Sequence, residues 1–187
     1  MSNLRSWFEK GMTHDDYVTS MTVHKENLQK VYDEYSVSEG SKLSLSKLKD
    51  RNIAAIVLTA DWCGDAMMNV PIFKKLGDIA GIEPRYLIRD ENLELMDQYL
   101  TNGTARSIPI FIFIDENGHE IGKWGPRAPE VQSVVEEIKT GMPDKEDPAF
   151  KEAFKAFVEK ISALFTTDLE LWSAVEKDMV HTLTEMK

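Results

Sequence analysis

The sequence predicts an α/β domain, with a mixed central sheet, flanking helices and helical extensions at both ends. Three observations predict it. "IAAIVLTA" (53–60) is a short apolar run rich in β-branched residues, as a strand buried on both faces would be. "IPIFIFID" (108–115) is the strongest strand signal in the chain; the turn "ENG" and "HEIGKW" (119–124) after it complete a hairpin. Helical periodicity fills the intervals and both ends.

Residues 1–50 read as a helical N-terminal extension. "GMTHDDY" places Thr13 as an N-cap with Asp16 three residues on, a variant of the capping box. Tyr17, Met21, His24, Leu28, Val31 and Tyr35 then follow a spacing of three and four, which predicts one amphipathic helix. A shorter helix covers Leu43 to Leu48. The sheet domain occupies residues 51–140. After its first strand comes a helical pattern from about Gly64 to Ala80, then a strand over "PRYLI" (84–88) and a helix over "NLELMDQYL" (92–100). The hairpin follows, and then a last helix over "APEVQSVVEEIK" (128–139). The order β-α-β-α-β-β-α implies parallel pairing of the first strands and an antiparallel pair at the end.

Residues 141–187 read as a C-terminal helical extension packed on the same domain. Asp147-Pro148 is a cap followed by proline at the first helical position. Phe150, Phe154, Phe157, Ile161 and Leu164 form one stripe. Thr167 to Glu170 reads as a second capping box, ahead of Trp172, Val175, Met179, Leu183 and Met186 on a common face. Both stripes read as packing surfaces against the sheet domain, with a partner interface as the alternative.

Composition narrows the function classes. A chain of 187 residues suits one domain with a sizeable core. No apolar run approaches the ~20 residues of a membrane span, and the N-terminus lacks a secretory layout. A single cysteine permits no internal disulfide, which agrees with a reducing compartment, and the expected location is cytoplasmic. The net charge of −10, without a basic stripe, argues against nucleic acid and against an anionic membrane. The four histidines are scattered and none has metal-ligand spacing to the cysteine, so no metal is expected. With no P-loop or dinucleotide fingerprint, no cofactor is expected either. The sequence gives no sign of oligomeric state.

That cysteine, Cys63, lies in "TADWCGDAMM", where a hydrophobic strand ends and a helix begins. A helix N-terminus favours a thiolate through its unpaired N–H groups and its dipole. Asp61 and Asp65 oppose it, and the sign of the net shift is open. A lone cysteine is also a common small core residue, but the polar, turn-like neighbourhood of Cys63 points to an exposed and reactive thiol.

"WCGDA" after a hydrophobic strand resembles the thioredoxin active-site motif, Trp-Cys-Gly-x-Cys, with alanine, Ala66, in place of the last cysteine. "SIPIFIF" resembles the family strand that opens on a cis-proline beside the active cysteine, with Pro109 as that proline and Ile108 before it. "WGPR" (124–127) matches the region where the family has a glycine near the active site. The resemblance covers about residues 50–140, and "DWCGDA" is similar to a bacterial subfamily that carries alanine in this place. It implies a thioredoxin-like three-layer fold and a groove in which Ile108 offers its carbonyl and N–H to an extended substrate. Trp62 would shield one side of the sulfur, and Gly64 would allow the corner. Asp65 would cap the helix or repel the thiolate. Arg127 would offset the aspartates, bind a carboxylate of a small thiol, or simply be solvated at the start of the last helix. Met67 and Met68 would form an apolar lip or fill the core.

Two readings follow. In the first the protein is a monothiol oxidoreductase. The Cys63 thiolate attacks a disulfide, a mixed disulfide forms and the departing half leaves as a thiolate; an external small thiol must then release the product, because Ala66 cannot. Its partners would be protein or small-molecule thiols and disulfides. In the second the groove beside Pro109 holds a peptide or protein partner and Cys63 is redox-silent. The sequence favours the first, because the corner that presents Cys63 is kept.

Overall fold

Strand β1 (Ala54–Thr59) is buried at all six positions, and the rest of the fold is assembled on its two edges. The structure is a computed structural model that describes residues 3–186. Strand β2 (Glu83–Ile88) pairs with β1 in parallel, Ala54 opposite Glu83 and Thr59 opposite Ile88. Strand β3 (Ile110–Ile114) lies on the other edge of β1, antiparallel, and β4 (Glu120–Trp124) extends the hairpin outward. The sheet is therefore mixed and four-stranded, in the order β2-β1-β3-β4. With flanking helices it makes the α/β architecture the sequence predicts. The β1–β2 alignment sets the C-terminal ends of both strands side by side, which matters for the site.

The nine α-helices among the described residues are α1 (Arg5–Lys10), α2 (His14–Ser20), α3 (Lys25–Glu34), α4 (Glu39–Ser46), α5 (Gly64–Ala80), α6 (Leu93–Met96), α7 (Pro129–Lys139), α8 (Phe150–Phe165) and α9 (Leu169–Glu185). Helix α5 is the central one. Phe73 sets its ring 4.7 Å from Phe111 of β3, while α3, α4, α8 and α9 pack around its remaining surface. Helix α5 is accordingly buried on nearly all sides, from Asp65 to Ala80. None of the described helices is long and apolar enough to cross a membrane.

Four local expectations are corrected. The single helix expected over Tyr17–Tyr35 is broken into α2 and α3, and His24 opens α3 in the left-handed region at φ 57°. The break is held from outside: the Asp61 carboxylate accepts from the backbone N–H groups of Thr22 and Val23 and from the Thr22 hydroxyl, at 2.8–3.1 Å. The helix expected over 92–100 is the single turn of α6. Helix α8 starts at Phe150 rather than at Pro148, with Asp147 accepting from the N–H of Ala149. The cap of α9 is Asp168, which accepts from Glu170 and Leu171, while Thr167 donates back to Ala163. The Thr13 cap is as expected, accepting from the N–H of Asp16.

The two extensions meet at a buried carboxylate. Glu176 of α9 accepts from the Tyr35 hydroxyl at 2.6 Å and from the N–H of Ser38 at 3.2 Å. Burial pushes its pKa up, but the hydrogen bonds from Ser38, Ser41 and Tyr35 outweigh this and hold it below the usual range. Tyr35→Phe removes one partner of a buried charge and should cost about 1–2 kcal/mol in urea unfolding. An unchanged midpoint would show the network to be dispensable.

Candidate functional site

The end of β1 delivers the chain to a tight corner, and Cys63 is the N-cap of α5. The backbone N–H groups of Asp65 and Ala66 at the start of α5 favour a thiolate there, but the Cys63 side chain accepts no capping hydrogen bond. The sulfur is nonetheless enclosed. Cys63 is 7% exposed, and its thiol donates to the carbonyl of Ile108 at 3.3 Å. Burial raises its pKa most and the Asp65 carboxylate adds to this; the two N–H groups and Arg127 only partly oppose them, so the thiol is pushed up to about 11. Where the sequence left the sign open, burial and Asp65 together favour the neutral thiol.

The remaining residues of the corner divide between that sulfur and other tasks. Ile108 and Pro109 stand beside it, joined by a cis peptide bond, and Gly125–Pro126 is a second cis bond in the facing turn. Gly125 sits at φ 122°, pressed against the Pro109 carbonyl. Asp65 is buried in the first turn of α5 and accepts from Arg127 Nε at 2.6 Å and Nη2 at 2.8 Å. Burial raises the Asp65 pKa and the Arg127 guanidinium pulls it back, with burial winning. Arg127 spends its third nitrogen on Gln132 Oε1 at 2.8 Å. It therefore lies against Asp65, and three of its five N–H groups are taken by Asp65 and Gln132. The Asp61 carboxylate is bound to Thr22 and Val23. Gly64 has open space where a side chain would be. Met67 and Met68 are in the core and form no lip.

Trp62 is the exposed member of the corner, at 47%. The Arg89 guanidinium lies 4.7 Å from its ring centre and also donates to the carbonyl of Arg106 at 3.1 Å. Arg89 thereby ties Trp62 to the loop that leads into Ile108–Pro109. It follows β2 directly, so the parallel β1–β2 pairing places it near Trp62, a signal available in the sequence. Gln132 and Asn69 were also missed. The Asn69 amide donates to the Pro126 carbonyl at 3.0 Å, and its i, i+4 spacing from Asp65 put it on the same row of α5. A cleft of about 370 Å³ is lined by Tyr99, Ile110, Trp124, Gly125, Arg127 and Asp178, among others. No group of three or more metal-ligating side chains occurs among the described residues.

Residues 11–139 match the family model described as Thioredoxin. No curated protein matches the chain. Among solved structures, it is similar to PA1234, a protein of unknown function from Pseudomonas aeruginosa. The TM-score is 0.63 at 15% identity, with 95% of this chain and 99% of that one covered. It is also similar to an HIV epitope-scaffold, with a TM-score of 0.62 at 13% identity over 94% and 99% of the two chains. At these identities the likeness is one of fold.

Proposed function

Because the chain belongs to the thioredoxin family, we propose that it uses the family groove to hold an extended segment of a partner, with Cys63 kept as a neutral thiol. One observation carries this reading: the enclosed sulfur donates to the Ile108 carbonyl beside a buried carboxylate, and no second cysteine exists to resolve a mixed disulfide. The exposed Trp62 would stand against the bound segment. The cleft beyond Ile110 and Gly125 begins one residue past Pro109 and offers a pocket for a side chain of the bound segment. On this reading the partner is a protein or peptide, bound without covalent chemistry.

Selection from an array of extended peptides tests the proposal on the wild type, Cys63→Ser and Trp62→Ala. Cys63→Ser should retain the selected peptides. Trp62→Ala should weaken them about tenfold through loss of an aromatic anchor, with no change in melting temperature. Ligands that disappear with the thiol and are released by a reductant would overturn it.

A second reading is monothiol exchange. It is favoured by the place of Cys63 at the start of α5, where the N–H groups of Asp65 and Ala66 would stabilise a thiolate once formed. It requires an external thiol for the second step and a substrate that opens the Ile108 contact.

A further inference from the structure

The sequence stripe of α8 is only half used by the fold. Ile161 and Phe165, in the last turns, are buried against the body, and Phe157 is half-buried. The same face continues N-terminally into an aromatic row that the body covers only in part, with Phe150 half-buried like Phe157. The Phe150 and Phe154 rings stack at 5.7 Å, and Phe157 lies 6.1 Å from Phe154. Phe154 is 47% exposed and Val158 40%.

The charges around this row are ordered. At 100° per residue, Lys151 and Lys155 run along one flank of the aromatic row and Lys160 along the other, while Glu152 and Glu159 fall on the far side of the helix. Lys155 has one carboxylate nearby, Glu159 at 3.9 Å, in a solvated pair; Lys151 and Lys160 have none among the described residues. Asp144, Glu146 and Asp147 stand in the loop before the helix.

We propose that the Phe150–Val158 face of α8 docks an amphipathic helical segment of another protein, one whose apolar stripe is flanked by acidic residues. The lysine flanks set the sign of the partner. They also exclude a second copy of this helix: in an antiparallel pair Lys151 and Lys155 would meet their own counterparts, and a parallel pair would bring them against Lys160. A flat anionic lipid surface would meet the three carboxylates of the preceding loop, and lipid-bound helices are amphipathic along their whole length, whereas here about two turns are free. A partner helix of that length touches the row and its flanks alone.

The test places the photocrosslinker p-benzoylphenylalanine at position 154 in the cells that make the protein and sequences the adduct. The expected product is a protein adduct within a segment of three-and-four apolar spacing with flanking Asp or Glu. K151E/K155E/K160E should lower its yield at least about fivefold with the melting temperature unchanged. Val158→Glu, which keeps the lysines, should do the same. An adduct to lipid, to a second copy or to a segment without acidic flanks would overturn the proposal. So would a yield indifferent to the lysines, or no adduct at all.

Discussion

Arg127→Met should destabilise the protein by about 3 kcal/mol at pH 8, because it strands the Asp65 carboxylate in the first turn of α5. The methionine keeps the stem of the side chain, so the loss isolates the guanidinium. The effect has a pH signature. Burial already raises Asp65 in the folded protein, and Arg127 is the group that pulls it back. Without it the folded pKa rises further above the unfolded value of about 3.9. A carboxyl raised in this way adds stability below its unfolded pKa and loses it as pH climbs through the folded one. The deficit of the variant should therefore be greatest at neutral and alkaline pH and shrink toward pH 4. Urea unfolding of both proteins across this range measures it. A deficit that holds constant or grows on acidification would mean that Asp65 is not the group left unpaired.

Gly125→Ala should cost about 4 kcal/mol, from a strained backbone and an overfilled contact together. Gly125 sits at φ 122°, where L side chains are rarely found, and a Cβ there would overlap the carbonyl oxygen of Pro109 and crowd the Ile110 Cα. All three atoms it would meet are backbone of Pro109 and Ile110, so no flexible side chain can yield. The substitution pushes the Gly125–Pro126 turn away from Pro109 and should also loosen the Ile108 carbonyl from the Cys63 sulfur. The expected result is a large fall in the unfolding midpoint, with faster alkylation of Cys63 in the molecules that remain folded. A stability within about 1 kcal/mol of wild type would show that the turn moves freely.

What the sequence disclosed depended on how local the cause was. The apolar run at Ala54–Thr59 and the helix over Gly64–Ala80 were legible because burial on both faces of a strand and helical periodicity are written in consecutive residues. The corner was legible for the same reason, since strand, turn and helix start are adjacent in the chain. The break at Met21–His24 was not, because its cause is a carboxylate about 40 residues away, Asp61. Arg127 lay within the predicted site, but its pairing with Asp65, 62 residues away in the chain, depends on the Gly125–Pro126 turn being held against α5 by Asn69. The state of Cys63 is a difference between opposing influences, helix N–H groups against burial and Asp65. No sequence pattern sets their balance; the closing of the Ile108 loop over the sulfur does. The stripe of α8 shows the reverse limit: its periodicity was plain, but only the fold reveals where the covering body ends.

The most direct measurement is the rate of Cys63 alkylation by iodoacetamide against pH, followed by intact mass. Since the chain has one cysteine, every adduct reports on this sulfur. An enclosed neutral thiol predicts slow modification at neutral pH and a rate still rising through pH 10, with its midpoint near 11. A plateau with a midpoint well below the free-thiol value of about 8.5 would contradict it, and would identify Cys63 as an activated nucleophile.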